Sequence, residues 1–187
     1  MYDPSFSSTR IKFVIDQLEE IHDEGPADSP MKSVIVSQFT EMLDVVASHL
    51  SWAGFEYWSI RRAIPPKKRS EAMDDFNNNP RGREVMLVSL KAGRVGLNLI
   101  GGNHLFFLDM HWNPVLEDIV CDSICREGQM RIVYIHKFVC VDTIEERILE
   151  LQEKKRQLAK DVLTGSKEVP SQADLEFLIG DLYQNEA

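Results

Sequence analysis

The fold class this sequence predicts is α/β, a three-layer parallel sheet with helices on both faces, and three observations carry the prediction. Short continuous apolar runs, Ser33–Ser37, Val85–Val88 and His104–Met110, have the length of strands buried on both faces. Between them, apolar residues recur at three- and four-residue intervals, the period of an amphipathic helix. The connections are short and rich in Gly and Pro, so strand and helix alternate, and such alternation folds as a parallel sheet with helical crossovers.

Taken in order, Ser8–Glu24 sets Ile11, Val14, Ile15, Leu18 and Ile21 on one helical stripe, with Ser or Thr available as cap. The breaker-rich loop Glu24–Pro30 leads to the strand Ser33–Ser37. Met42, Leu43, Val46 and Leu50 mark the next helix, which Gly54 stops, and Phe55–Ile60 reads as a strand. Pro65 and Pro66 open a helix through Phe76, and Asn77–Gly82 reads as a polar loop. After Val85–Val88 come a glycine-bearing stretch, the strand His104–Met110, a helix from Pro114 to about Arg126, and the strand Ile132–Val139. Thr143, three residues before Glu146, is a capping box for a long helix striped with Ile144, Ile148, Leu151, Leu158 and Val162. Gly165 ends it, and a small helix is expected around Ala173–Leu182.

Composition limits what such a chain does. At 187 residues and 43% hydrophobic it has material for one substantial core. No apolar run approaches the ~20 residues that span a bilayer. Three cysteines, Cys121, Cys125 and Cys140, leave an odd thiol, and no Ala-x-Ala-like cleavage site follows a charged N-terminal region, so a reducing compartment, cytosol or nucleus, is expected. A net charge of −9 argues against strong autonomous nucleic-acid binding. Its distribution leaves an exception: Arg61, Arg62, Lys67, Lys68 and Arg69 cluster, followed by Arg81, Arg83, Lys91 and Arg94, so one face can meet phosphates.

The chemistry-bearing stretches begin where a buried strand runs into Ser89, Lys91, Gly93 and Gly96. Glycines after a strand admit backbone N–H groups close to phosphate, while Ser and Lys supply a hydroxyl and a charge. Asp109-Met-His-Trp-Asn-Pro114 follows the next strand, where open α/β sheets place ligands, and Asp122-Ser-Ile-Cys-Arg-Glu-Gly-Gln129 ends the following helix. Cys121 and Cys125, one helical turn apart with His104 and His111 nearby in sequence, lack zinc-ribbon spacing, and no metal site is expected there.

In this order the segments resemble the second RecA-like lobe of Swi/Snf-type, DNA-dependent ATPases. Val34-Ile-Val-Ser-Gln-Phe-Thr40 is similar to motif IV, Ser89–Leu99 to motif V, Trp112-Asn-Pro114 to the segment after it, and Arg126-x-Gly-Gln129 to motif VI. Gly101–Pro114 and Glu145–Lys155 resemble most the transcription-termination, Lodestar-like branch. The resemblance implies an N-terminal helix and linker over 1–30, the second RecA-like (helicase C-terminal) domain over 31–165, and a C-terminal helical extension over 166–187. It implies nuclear localisation, ATP with Mg2+ held mainly by a first lobe, and duplex DNA and transcription or chromatin complexes as partners. Arg126 then matches an arginine directed at the phosphates, Gln129 the residue seating it, and Asp122 an upstream acid. Gly93, Gly96 and Asn98 match the coupling loop; Ser37, Gln38, Ser89, Lys91 and Trp112 match contacts to the DNA backbone.

The chain departs from the family pattern at several places. Ser123 stands where a second arginine is usual, Ile119-Val120 where a Gln-Ala pair is, Ser59–Ala63 where relatives have an Asp-Gly turn, and Arg94 where a glycine pair continues. These 187 residues hold no Gly-x-x-x-x-Gly-Lys-[Ser/Thr] loop and no Asp-Glu magnesium motif, so the isolated chain is not expected to turn over ATP. The competing expectation is a catalytically silent lobe that docks a protein partner, favoured by Ser123.

Overall fold

All three runs read as buried strands are adjacent in the structure, the first flanked by the other two, in a computed structural model that describes residues 8–26, 30–93 and 96–164. The expected stop at Gly165, the small helix around Ala173–Leu182 and the departure at Arg94 lie outside the described residues. Five strands, β1 (Ser33–Ser37), β2 (Tyr57–Ile60), β3 (Val85–Ser89), β4 (His104–Phe107) and β5 (Tyr134–Lys137), form one parallel sheet in the order β2-β3-β1-β4-β5. Helices α1 (Thr9–Glu24), α2 (Thr40–Trp52), α3 (Pro66–Asn78), α4 (Leu90–Gly93), α5 (Pro114–Ile124) and α6 (Ile144–Leu163) complete the described elements.

Two compact units divide the chain. One holds the residues up to Asp109 together with Leu116–Phe138; the other holds Met110–Val115 and the residues from Val139 on. In the first, every residue of β1, β3 and β4 is buried, the condition of a parallel sheet covered on both faces. On one face Ile35, Val85, Leu87 and Phe106 share a core with Ile11, Val14 and Leu18 of α1 and Leu43, Val46 and Leu50 of α2. Burying each of these side chains contributes about 1.5–3 kcal/mol. On the other face Phe76 of α3, Val34 and Ile124 of α5 converge on Gly102.

The N-terminal helix therefore belongs to this core, capped as its sequence predicts by Ser8, whose Oγ accepts the Ile11 N–H at 3.4 Å. Asn77 is helical, in the last turn of α3, rather than part of the polar loop expected from Asn77 onward. Lys32, 4% exposed, explains the extension past Phe76: its Nζ donates to the carbonyls of Phe76 at 2.9 Å and Asn79 at 2.6 Å, supplying a cation and donors to a helix C-terminus. Burial lowers its pKa, opposed by Asp75 and Glu84. The four residues of α4, within the glycine-bearing stretch, are too few to carry a periodic signal.

In the second unit, Thr143 caps α6, although the capping box is displaced by one residue. Its Oγ1 accepts from Glu145 N at 3.2 Å, and Glu146 reaches back to the N–H of Asp142, which sits at φ 60°. Among the described residues no helix is long and apolar enough to cross a membrane.

Along β4 and the edge strand β5 of the first unit, parallel register stacks His104, His136, Phe106 and Phe138 into one aromatic ladder, with Tyr134 against His104. His104 is 8% exposed, and its Nδ1 lies 3.3 Å from Nε2 of His136. Burial, reinforced by the His136 charge, lowers the His104 pKa from 6.5 to about 4, and burial lowers that of His136 too. The folded state thus holds both rings neutral. The unfolded chain binds these protons near pH 6.5, so stability is full above that value and declines as pH falls toward about 4. Urea unfolding at pH 7.5 and 4.5 is expected to show a loss of about 2–3 kcal/mol attributable to His104, and His104→Phe should flatten the profile. An unchanged slope in that variant would rule the ladder out as the source.

Candidate functional site

Because all five strands run the same way, their C-terminal ends form one edge of the sheet, and of the residues matched to DNA contacts Ser37, Gln38, Ser89 and Lys91 fall along it. Ser37 and Ser89 end β1 and β3 opposite one another in register. Asp109, just past β4, fastens this edge: Ser37 Oγ donates to its Oδ2 in a short bond, and the Gln38 N–H donates to its Oδ1 at 2.9 Å. Burial raises the Asp109 pKa, and the bonds from Ser37 and Gln38 oppose the rise. The Ser37 and Ser89 side chains are buried, so they support the edge; Gln38, half-buried, and Lys91, exposed on α4, are what it presents.

Trp112 belongs to the second unit. It is half-buried, Lys155 Nζ lies over its ring at 4.4 Å, and His111 tilts against it at 5.0 Å between centroids. Gln152, fully buried in α6, donates to the His111 carbonyl at 2.5 Å. The turn carrying Trp112 is therefore held by two side chains of α6, a support the sequence did not announce.

The residues matched to nucleotide chemistry lie at the opposite edge. Each crossover must return to begin the next parallel strand, so α3 and α5 end beside the N-terminal ends of the strands. There Gln129 acts as a clasp. Its side-chain NH2 faces the carbonyls of Ile100 at 3.1 Å, Gly102 at 2.8 Å and Ile124 at 3.1 Å, and its Oε1 accepts the Arg131 N–H at 3.0 Å. Two hydrogens thus serve three acceptors, tying the end of α5 to the turn before β4. Arg126 and Asp122 are exposed, and the Arg126 guanidinium is uncommitted among the described residues.

An open cleft of about 420 Å³ lies between the coupling loop and this helix end, lined by Gly96, Leu97, Ile119, Asp122, Ser123 and Arg126 among others. Gly96 takes φ 64°, where a side chain is strained. A Cβ on Gly93 would stand 2.7 Å from Val120 Cγ2, so α4 and α5 approach closely there. Asn98 is exposed and offers its carbonyl to Asn77. Ser123 is 4% exposed and donates to the Val120 carbonyl at 2.7 Å, satisfied within its own helix.

Among the described residues no group of three or more His, Cys, Asp or Glu is placed to hold a metal ion. Cys121 and Cys125 are free thiols, and burial pushes Cys121 up to about 11. Sequence reasoning missed Asp109 as the fastening group and Asn77 as a helical one. A carboxylate right after a buried strand was the available signal for the first.

Residues 13–136 match the helicase conserved C-terminal domain, and the chain belongs to that family. Among solved structures it is similar to the C-terminal part of the Fun30 ATPase domain, with a TM-score of 0.72 and 26% identity over 81% of this chain and 47% of that one. It is also similar to the SWI2/SNF2 ATPase C-terminal domain of Sulfolobus solfataricus, with a TM-score of 0.61 and 29% identity over 83% of this chain and 60% of that one. Among curated relatives it is 46% identical to transcription termination factor 2 of Drosophila melanogaster over 92% of this chain. It is 39% identical to the human helicase-like transcription factor over 82% of this chain. The chain spans only 16% and 15% of those two relatives' lengths.

If Gln129 is the clasp described, Gln129→Ala leaves the carbonyls of Ile100, Gly102 and Ile124 without their shared donor. Urea unfolding should then register a loss of about 1–3 kcal/mol, and hydrogen exchange should rise at the end of α5 and the turn before β4. A loss under about 0.5 kcal/mol would mean the clasp does not hold this edge.

Proposed function

We propose that this chain is the second motor lobe of a nuclear, double-stranded-DNA-dependent ATPase that translocates on duplex DNA. In this reading it displaces or remodels protein complexes there, as transcription termination requires. The observation that carries the reading is Arg126: an exposed guanidinium, uncommitted among the described residues, at the rim of a cleft and the end of a helix seated by Gln129. A planar guanidinium suits phosphate oxygens, and an arginine brought to a transferring phosphoryl group stabilises the charge that develops on it. In this reading ATP and Mg2+ are held mainly by a first RecA-like lobe. ATP supplies the phosphoryl group whose transfer to water drives the motor; this chain contributes Arg126, its seat Gln129 and the nearby acid Asp122.

At the other edge, Lys91 and Gln38 meet the DNA backbone, and Ser37 and Ser89 shape the strand ends behind them. Phosphate contacts of this kind position without reading sequence. Trp112, with its ring under Lys155, adds a contact rigidified by α6. Gly93, Gly96 and Asn98 form the coupling stretch between the two edges. The similarity to transcription termination factor 2 supports the output named above and transcription or chromatin complexes as partners.

A second reading is favoured by Ser123, which occupies the place of a second arginine and spends its hydroxyl on its own helix. In it the lobe is catalytically silent and docks a protein partner.

Joined to a first lobe from a close relative, the chain is expected to show weak DNA-stimulated ATP hydrolysis. Arg126→Ala should lower the stimulated rate by about a thousandfold, the scale of an arginine finger, and Ser123→Arg, directed into the cleft that Ser123 lines, should raise it. Folded fusions that are inert with either residue at 123 would sink the motor reading in favour of the silent module.

A further inference from the structure

The five residues Asn98–Gly102 cross back toward the start of β4, and their backbone is gripped from two sides. Motif VI holds one: Gln129 takes the carbonyls of Ile100 and Gly102, and Ser123 O accepts the Leu99 N–H at 2.8 Å. Helix α3 holds the other, through Asn77. Its Nδ2 donates to Asn98 O at 3.0 Å and its Oδ1 accepts the Gly101 N–H at 2.9 Å. Asn98 N lies 3.5 Å from Sδ of Met73, one turn earlier. Gly101 is pressed so close that a Cβ there would stand 2.4 Å from the Phe76 carbonyl and 2.6 Å from Asn77 Cα.

Asparagine meets this geometry because it carries a donor and an acceptor on one short stem, able to bond backbone three residues apart. The gripped segment follows Gly93 and Gly96, which leave the edge proposed to meet DNA. It ends beside the helix terminus that carries Arg126. A solvated loop would absorb a displacement at one end. Here donors and acceptors from Asn98 to Gly102 are bonded on both sides, so the segment and its two holders are fixed together.

We infer that Asn77 is a positioning residue for the motor reaction: by fixing Asn98–Gly101 it registers a backbone contact at Lys91 and the coupling glycines as a placement of Arg126. The inference rests on the motor reading above. Asn77 touches neither ATP nor DNA in it; it acts through the segment it holds.

The test uses the motor formed by this chain and a first lobe, with the ratio of DNA-stimulated to basal ATP turnover, the KM for ATP and the Tm as readouts. With both hydrogen bonds lost, Asn77→Ala should lower that ratio by about fivefold or more. The KM for ATP should stay within about twofold. Asn77→Asp keeps the acceptor for Gly101 and loses the donor to Asn98, so it should fall between Ala and the unmodified motor. In the chain alone, Asn77→Ala should speed amide exchange at Leu99 and Gly101 while β1 and β3 stay protected, a readout available even if the variant motor assembles poorly.

A folded Asn77→Ala motor with an unchanged ratio, or exchange at Leu99 and Gly101 that does not move, would overturn the assignment. So would basal and stimulated rates that fall in parallel with Tm. An unmodified motor with no DNA stimulation would instead overturn the motor reading, and this inference with it.

Discussion

Parallel strand pairing imposes one constraint from which much else in the first unit follows. Every connection must carry the chain back along the sheet before the next strand begins, so the two edges receive different parts of the chain: strand ends and the residues after them on one side, helix ends on the other. The two groups of candidate residues divide along this line. Ser37, Gln38, Ser89, Lys91 and Asp109 gather where strands finish; Asp122, Arg126 and Gln129 gather where α5 finishes. The segment before β4 joins the two edges, and its backbone is bonded to Gln129 on one side and Asn77 on the other.

Each edge is held by a polar group buried only because it is bonded. Asp109 receives the Ser37 hydroxyl and the Gln38 N–H; Lys32 fills the carbonyl-rich end of α3; Gln129 serves three carbonyls. Burying a carboxylate or an ammonium without such partners costs several kcal/mol. These groups therefore act as specificity devices: each has one arrangement in which its desolvation is offset, and that arrangement fixes the loops.

The sheet and the helices that cover it were legible because burial writes itself into local pattern. The stripe Ile11, Val14, Leu18 and Ile21 and the run Val34–Val36 each need nothing beyond neighbours in sequence. Motif order singled out Gln129, whose side chain meets three carbonyls. What pattern could not supply was partnership at long range. Ser37 reads as a surface hydroxyl until Asp109, 72 residues away, is known to receive it. Trp112 is matched by motif to DNA, but that Lys155 covers its ring is not legible from its neighbours in sequence. Asn77, an ordinary loop-former by composition, becomes helical because Lys32 extends α3 past Phe76. The capping box at Thr143 was visible, but its one-residue displacement follows from the left-handed turn at Asp142, which no residue type there requires.

The self-contained bonding of Ser123 bears on how lobes of this kind drift over evolutionary time. Its hydroxyl closes onto the Val120 carbonyl within the same helix, and its carbonyl still accepts the Leu99 N–H. The fold draws on the backbone at this position and on nothing that an arginine side chain would have provided. Gly101 is the opposite case, since any side chain there collides with the end of α3. The side chain at 123 is thus bonded within α5 alone, whereas position 101 admits no side chain unless the end of α3 moves.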